Sequence, residues 1–274
     1  MVTEKLSSMQ NPKIKELLSI QEKSRLRRSK GLFAVEGRRE VTHCLESGFS
    51  AQSIFYCPEI TGKDGMDEIL KTIGNNQDGQ LSCRMFELTK ELYSKVAYRE
   101  GTEGVIALIR YKDLKLDDII LSENPLVIVL ESVEKPGNLG AVLRSADASG
   151  ADAIIVCDPL TDLYNPNLIR SSLGAIFTKQ VCAASSEDTI AWLKRHNIQI
   201  LTAQLQDSKW YYATDMKKAT AIVMGTESTG LTDLWRKNAD SHIKIPMLGK
   251  LDSLNVSVSA AVLLFEAVRQ RQTK

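Results

Sequence analysis

The chain has 274 residues, of which 43% are hydrophobic and 25% charged, and a formal net charge of +1. That composition suits a globular protein with one large core or two modest ones, and two are expected. The longest apolar runs, at 126–130 and 260–265, are too short to span a bilayer, and the opening MVTEKLSSMQ lacks an apolar signal core, so a cytoplasmic protein with no membrane partner is expected. The five cysteines, Cys44, Cys57, Cys83, Cys157 and Cys182, form no CxxC pair and are odd in number. They argue against a zinc site or a disulfide framework, no metal is expected, and they read as small buried residues.

In chain order, Asn11 caps a helix that has Pro12 at its first position and apolar residues at Ile14, Leu17, Leu18 and Leu26, with Gly31 as its stop. Between positions 13 and 30, Lys13, Lys15, Lys23, Arg25, Arg27, Arg28 and Lys30 face only Glu16 and Glu22. Such a run is either a solvated helix face or a surface that displaces counterions from nucleic-acid phosphates. A short strand, LFAVEG at 32–37, then leads through a turn at Gly37 into a helix from Arg38 to Ser47. Arg38 and Arg39 stand in its first turn, where exposed amides and guanidinium groups can meet phosphate or water. Strands at 53–56, 83–86 and 104–109 alternate with helices at 67–73 and 89–94. The alternation predicts a small α/β domain over residues 1–110, followed by a polar linker at 111–124.

The second domain is expected at 125–274. Its first strand, 126–130, is a continuous apolar run of the kind buried on both faces of a parallel sheet. The loop ESVEKPGN follows at the carboxyl end of that strand, where open α/β sheets bind ligands. Asn138 is read as the N-cap of a helix that runs through Leu143 and Arg144 to Gly150. Further strands at 153–156, 181–184, 198–203 and 221–224, with helices at 165–172 and 187–196 and a WYYATD loop, predict a parallel sheet with helices on both faces. Gly137 and Gly140 stand alone after the first strand, so the GxGxxG dinucleotide fingerprint of a dehydrogenase is absent. A strand exit at Ile243 to Met247, a turn at Gly249 and the capping residues Ser253 and Asn255 then lead into an apolar helix running to Arg269.

Three ordered stretches, NLGAVLRSADASGA at 138–151, GTESTGL at 225–231 and SLNVSVSAA at 253–261, resemble the three motifs of the SpoU (TrmH-like) family of RNA 2'-O-ribose methyltransferases in the SPOUT superfamily. The resemblance runs from Leu126 to the C-terminus. It implies a C-terminal α/β domain with a deep trefoil knot, in which the chain after Ile245 threads the preceding loop. It also implies a homodimer, S-adenosylmethionine as cofactor, and an RNA substrate, with ribosomal RNA first and transfer RNA as the runner-up. The N-terminal segment is similar to the substrate-recognition domain of ribosome-directed members, which makes Lys23, Arg25, Arg27, Arg28, Arg38 and Arg39 candidate RNA contacts.

Carried over by motif position, Met224, Gly225, Thr226, Ile245, Met247 and Leu254 would line the cofactor pocket. Asn138, Arg144, Glu227, Ser253 and Asn255 would form the reaction centre. Family proposals include a base role for the motif-one arginine. A guanidinium has a pKa above ~12 and stays protonated, which favours Arg144 as an electrostatic stabiliser. Ser228 and Thr229 stand where the family often has Gly and Lys, which removes a basic contact from that loop. The rival readings are a non-catalytic RNA-binding protein of the same fold and a nucleotide-dependent oxidoreductase.

Overall fold

The computed structural model describes residues 3–75, 83–98 and 103–272. In chain order the elements are β1 (Thr3–Leu6), α1 (Pro12–Glu22), α2 (Ser24–Lys30), β2 (Leu32–Glu36), α3 (Arg38–Glu46), β3 (Ala51–Tyr56), α4 (Pro58–Asn75), β4 (Arg84–Leu88), α5 (Lys90–Val96) and β5 (Val105–Arg110). They are followed by β6 (Leu126–Glu131), α6 (Pro136–Ala148), β7 (Ala153–Cys157), α7 (Pro166–Ser172), α8 (Ala175–Thr178), β8 (Gln180–Ala184), α9 (Ser186–Arg195) and β9 (Gln199–Ala203). The last elements are β10 (Lys209–Trp210), β11 (Thr220–Met224), α10 (Asp233–Asn238), β12 (Ser241–Lys244) and α11 (Val256–Gln272). They form two compact units, Met1–Lys112 with Asp162–Thr178, and Asp113–Thr161 with Lys179–Lys274.

The first unit is built on a five-stranded mixed sheet in the order β1-β4-β3-β5-β2. Its core joins Ile14, Leu17 and Ile20 of α1 to Phe55, Phe86, Ile106 and Leu108 of the sheet. β2 is an edge strand, yet its Leu32, Phe33, Ala34 and Val35 are buried. The segment Asp162–Thr178, assigned by sequence to the second domain, belongs to this unit: Tyr164 stacks on Phe33 with ring centroids 4.1 Å apart, and Phe177 lies 6.0 Å from the same ring.

Two helices depart from expectation. The first breaks at Lys23, whose backbone is extended (φ −108°, ψ 105°), so that α1 and α2 are separate. The other, α4, starts at Pro58 and kinks at Gly62 (φ 68°), so the helix expected at 67–73 is its second limb.

The second unit carries a seven-stranded, all-parallel sheet in the order β10-β12-β9-β11-β6-β7-β8. β6 and β11 are central and buried along their whole length, as their unbroken apolar runs require. One face packs Val127, Val129, Ile155 and Val223 against Trp192, Leu193 and Trp235. Trp235 is fully buried, and its indole N–H donates to Ser186 Oγ at 3.0 Å, which satisfies its polar edge. All five cysteines are buried and free. No helix among the described residues is long and apolar enough to cross a membrane.

Candidate active site

Three loops meet at the carboxyl ends of the parallel strands in the second unit, each carrying one of the motifs. The loop after β6 supplies Val133, Glu134 and Lys135 and runs into α6. Here the structure corrects the sequence reading: Lys135 is the N-cap residue and Pro136 opens the helix, so Asn138 lies within the first turn rather than capping it. Its side chain is thereby free to reach outward. The Nδ2 of Asn138 donates to Glu227 Oε1 at 2.9 Å, and Asn255 Nδ2 donates to the same oxygen at 2.9 Å. Asn255 Nδ2 also lies 3.2 Å from Asn138 Oδ1.

Asn255 serves two purposes. Its Oδ1 accepts from Ser257 N at 3.0 Å, which makes it the cap of α11, while its amide N–H groups face the site. The other oxygen of Glu227, Oε2, accepts from Lys135 Nζ at 2.8 Å. That hydrogen bond is the main reason the Glu227 carboxyl is held below the usual carboxylate range, and it pushes the Lys135 ammonium pKa up. An ionised Glu227 is an acceptor only, so both amides must present N–H to it, which fixes their orientation. Lys135 lies in the ESVEKPGN loop, but a lone lysine on a loop carries no pattern that marks it within the sequence.

The loop that carries Glu227 is tightly closed. Thr226 N donates to Gly230 O at 3.3 Å and Gly230 N donates to Thr226 O at 3.1 Å. At its exit, Thr232 N and Oγ1 both donate to the buried Glu131 carboxylate, at 2.9 and 2.7 Å. Glu131 was likewise not singled out from sequence. It looks like the end of an apolar strand, and its partner lies 101 residues away.

Two cavities flank the loop. The larger, about 430 Å³, is lined by all six residues assigned to the cofactor, Met224, Gly225, Thr226, Ile245, Met247 and Leu254, and by Ser253. The smaller, about 230 Å³, is lined by Val133, Lys135 and Asn138 among others, and Thr226, Glu227, Ser228 and Val256 line both. Ser253 does not cap α11 as expected; its hydroxyl donates to Asp252 at 3.2 Å. Arg144 is exposed, lines neither cavity, and makes no side-chain hydrogen bond or ion pair with the described residues. It stands six residues beyond Asn138, about 9 Å along the helix. Among the described residues no cluster of His, Cys, Asp and Glu has the makings of a metal site.

The SpoU rRNA Methylase family model matches residues 125–265, just over half of the 274. The chain belongs to that family. A second match, to the MRM3-like substrate binding domain, covers residues 11–107. Among related SpoU-type enzymes, the 23S rRNA (uridine(2479)-2'-O)-methyltransferase of Streptomyces viridochromogenes is 29% identical over 247 residues, 88% of this chain and 84% of that protein. RlmB of Vibrio vulnificus, a 23S rRNA (guanosine-2'-O-)-methyltransferase, is 34% identical over 202 residues, 72% of this chain and 82% of that protein. A crystal structure of an RNA 2'-O ribose methyltransferase superposes with a TM-score of 0.81 at 35% identity, covering 98% of this chain and all of that one. An AdoMet-bound rRNA methyltransferase from Sinorhizobium meliloti gives a TM-score of 0.87 at 26% identity over 99% of both chains.

In the first unit, which carries the substrate-binding match, the candidate RNA contacts divide. Lys23, Arg25 and Arg28 are exposed, and their side chains have no partner among the described residues. Arg27 faces the interior and not RNA. It is 2% exposed, with Nε 2.6 Å from Asp162 Oδ2 and Nη1 donating to Ile20 O and Gln21 O at 2.8 and 2.9 Å. The free amides expected at the start of α3 are also occupied, since Arg38 N and Arg39 N donate to Glu103 Oε2 at 2.6 and 3.2 Å. The two guanidinium groups remain half exposed, Arg38 beside Glu68 at 3.7 Å and Arg39 beside Glu40 at 3.4 Å.

Proposed function

We infer that the chain transfers the methyl group of S-adenosylmethionine to a ribose 2'-hydroxyl of RNA, with ribosomal RNA in the cytoplasm as its substrate class. The observation that carries this reading is the Glu227–Asn138–Asn255 network, which stands where the two cavities share a wall. The larger cavity fits the cofactor: its volume is in the range of small-molecule sites, and it offers the aliphatic surfaces of Ile245, Met247 and Leu254. Leu254 is 42% exposed, an apolar side chain left open beside a cleft, as an adenine ring requires. S-adenosylmethionine, when bound, supplies a methyl group activated by a sulfonium.

The remaining work falls to the protein. Glu227 fixes the two asparagine amides, and these align the ribose in the smaller cavity; near-attack alignment of this kind is worth ~7 to 11 kcal/mol of barrier. Arg144 provides positive charge for the developing alkoxide. Because its own chain leaves it away from both cavities, a second copy brings it into place across a two-fold built on α6 and α11. The exposed Val258 and Phe265 on α11 are the apolar surface such a homodimer would cover. The chain after Ile245 forms the knot by threading the loop that precedes it. In the first unit, Lys23, Arg25, Arg28, Arg38 and Arg39 hold the RNA backbone.

Electrostatic stabilisation predicts that Arg144→Lys keeps activity within about tenfold of wild type, while Arg144→Ala loses ~10²- to 10³-fold in kcat. Single-turnover methylation measures both; equal losses would rule out the charge-stabilising role. The substrate class is tested by mapping ribose methylation in ribosomal and transfer RNA from cells with and without the gene. One 2'-O-methyl group is expected to vanish from ribosomal RNA. Its loss from transfer RNA instead would select the runner-up substrate, and no change in either RNA would defeat the enzymatic reading.

A further inference from the structure

The WYYATD loop, which the reaction centre does not use, forms an exposed aromatic cluster at the sheet edge. Trp210 is 43% exposed and Tyr212 52%, with ring centroids 6.5 Å apart and planes within 19° of parallel. Tyr211 packs edge-on against Tyr212 at 5.2 Å, which holds the second ring in place. β10 runs parallel to β12 with Trp210 in register with Lys244, so both lie at the carboxyl end of the sheet. Lys244 Nζ stands 4.9 Å from the Trp210 ring centroid, and Lys244 also lines the larger cavity, directly before Ile245. The aromatic cluster is therefore at the rim of the cleft. Two lysines stand beside it, Lys209 as the preceding residue of β10 and Lys244 in register with Trp210, against Asp207.

Two exposed rings with near-parallel faces, set among lysines, are the elements with which proteins hold unpaired nucleotides: bases stack on the rings and the ammonium groups meet the phosphates. A protein partner would require a continuous apolar face, whereas here Lys244 stands over the Trp210 ring and Lys209 precedes it. We propose that Trp210 and Tyr212 form a stacking platform for unpaired substrate nucleotides adjacent to the ribose that is methylated. The enzyme accordingly selects a single-stranded loop rather than a duplex. This rests on the reading of the chain as an RNA methyltransferase.

The test exploits the tryptophans. Of the three in the chain, Trp192 and Trp235 are 2% and 0% exposed, which leaves Trp210 as the surface reporter. Titrating full-length protein with single-stranded oligoadenylate is expected to quench its tryptophan emission, with little quenching by the duplex of oligoadenylate and oligouridylate. The quenching disappears in Trp210→Phe, which keeps a ring and binds a labelled oligonucleotide within about threefold of wild type. Trp210→Ala combined with Tyr212→Ala weakens that binding by about tenfold or more, since one base–aromatic stack is worth roughly 5- to 150-fold. In the same double variant KM for RNA rises, while kcat at saturation and S-adenosylmethionine affinity stay unchanged. Absent quenching, or wild-type RNA affinity in the double variant, overturns the platform. So does a double variant that becomes monomeric in sedimentation with RNA affinity intact, which would assign the cluster to a second copy. Loss of S-adenosylmethionine binding or of methylation in the wild-type protein would instead strike the underlying reading.

Discussion

Gly225→Ala is expected to weaken S-adenosylmethionine binding by at least about a hundredfold. A Cβ on Gly225 would lie 2.2 Å from Gly230 O, 2.3 Å from Gly230 C and 2.5 Å from Leu231 N. All three are backbone atoms, so no side-chain rotation relieves the overlap. The loop is also held at both ends, by the paired hydrogen bonds between Thr226 and Gly230 and by Thr232 on the buried Glu131 carboxylate. The methyl group must therefore break the Thr226–Gly230 closure or push the loop into the cleft that Gly225 and Thr226 line. Overpacking costs ~1–3 kcal/mol and each lost hydrogen bond about 1 kcal/mol, and ~3 kcal/mol taken from the binding-competent loop is about a hundredfold in affinity. Gly249→Ala is the control: nothing lies within 4 Å of its added Cβ, and it should bind as wild type does. Calorimetric titration decides between them. A Gly225→Ala protein with wild-type affinity would mean that this loop does not shape the cofactor site.

The parallel sheet was legible because 126–130 and 221–224 are unbroken apolar runs, which only a doubly covered sheet accommodates. The reaction centre was legible only through motif resemblance. Asn138, Glu227 and Asn255 are single polar residues up to 117 positions apart, and no local periodicity joins them. What stayed hidden depends on tertiary contacts. Lys135 acquires its meaning from a carboxylate 92 residues away, and Glu131 from a helix start 101 residues away. Tyr164 and Phe177 leave their neighbours in sequence to cover the edge strand β2, so the first unit takes in a stretch that sequence order assigns to the second. Arg27 was misplaced for the same reason. Six other cations surround it in sequence, and nothing local marks it as the one turned inward.

Arg27→Ala is accordingly expected to cost stability rather than RNA affinity, by about 3–5 kcal/mol for unfolding of the first unit. The Arg27 side chain is 2% exposed and that of Asp162 7%. The guanidinium fills two needs at once: it neutralises Asp162 at 2.6 Å and donates to Ile20 O and Gln21 O, carbonyls in the last turn of α1 that the helix cannot satisfy itself. Truncation leaves a buried carboxylate without a counter-charge, together with two carbonyls lacking a donor. Asp162 in turn accepts from Tyr164 N at 3.0 Å, which sets the start of the segment that lays Tyr164 on Phe33, so the damage reaches the aromatic cluster. At roughly 2–4 °C per kcal/mol for a domain of this size, Tm should fall by about 6–20 °C. Lys23→Ala, at an exposed site with no side-chain partner, should move it by less than about 2 °C. The pairing itself is isolated by the Arg27→Ala/Asp162→Ala protein. Removing the stranded carboxylate should make the double variant less unstable than the sum of the two single changes. Strict additivity, or a wild-type Tm in Arg27→Ala with weakened RNA binding, would return Arg27 to the RNA-contacting surface.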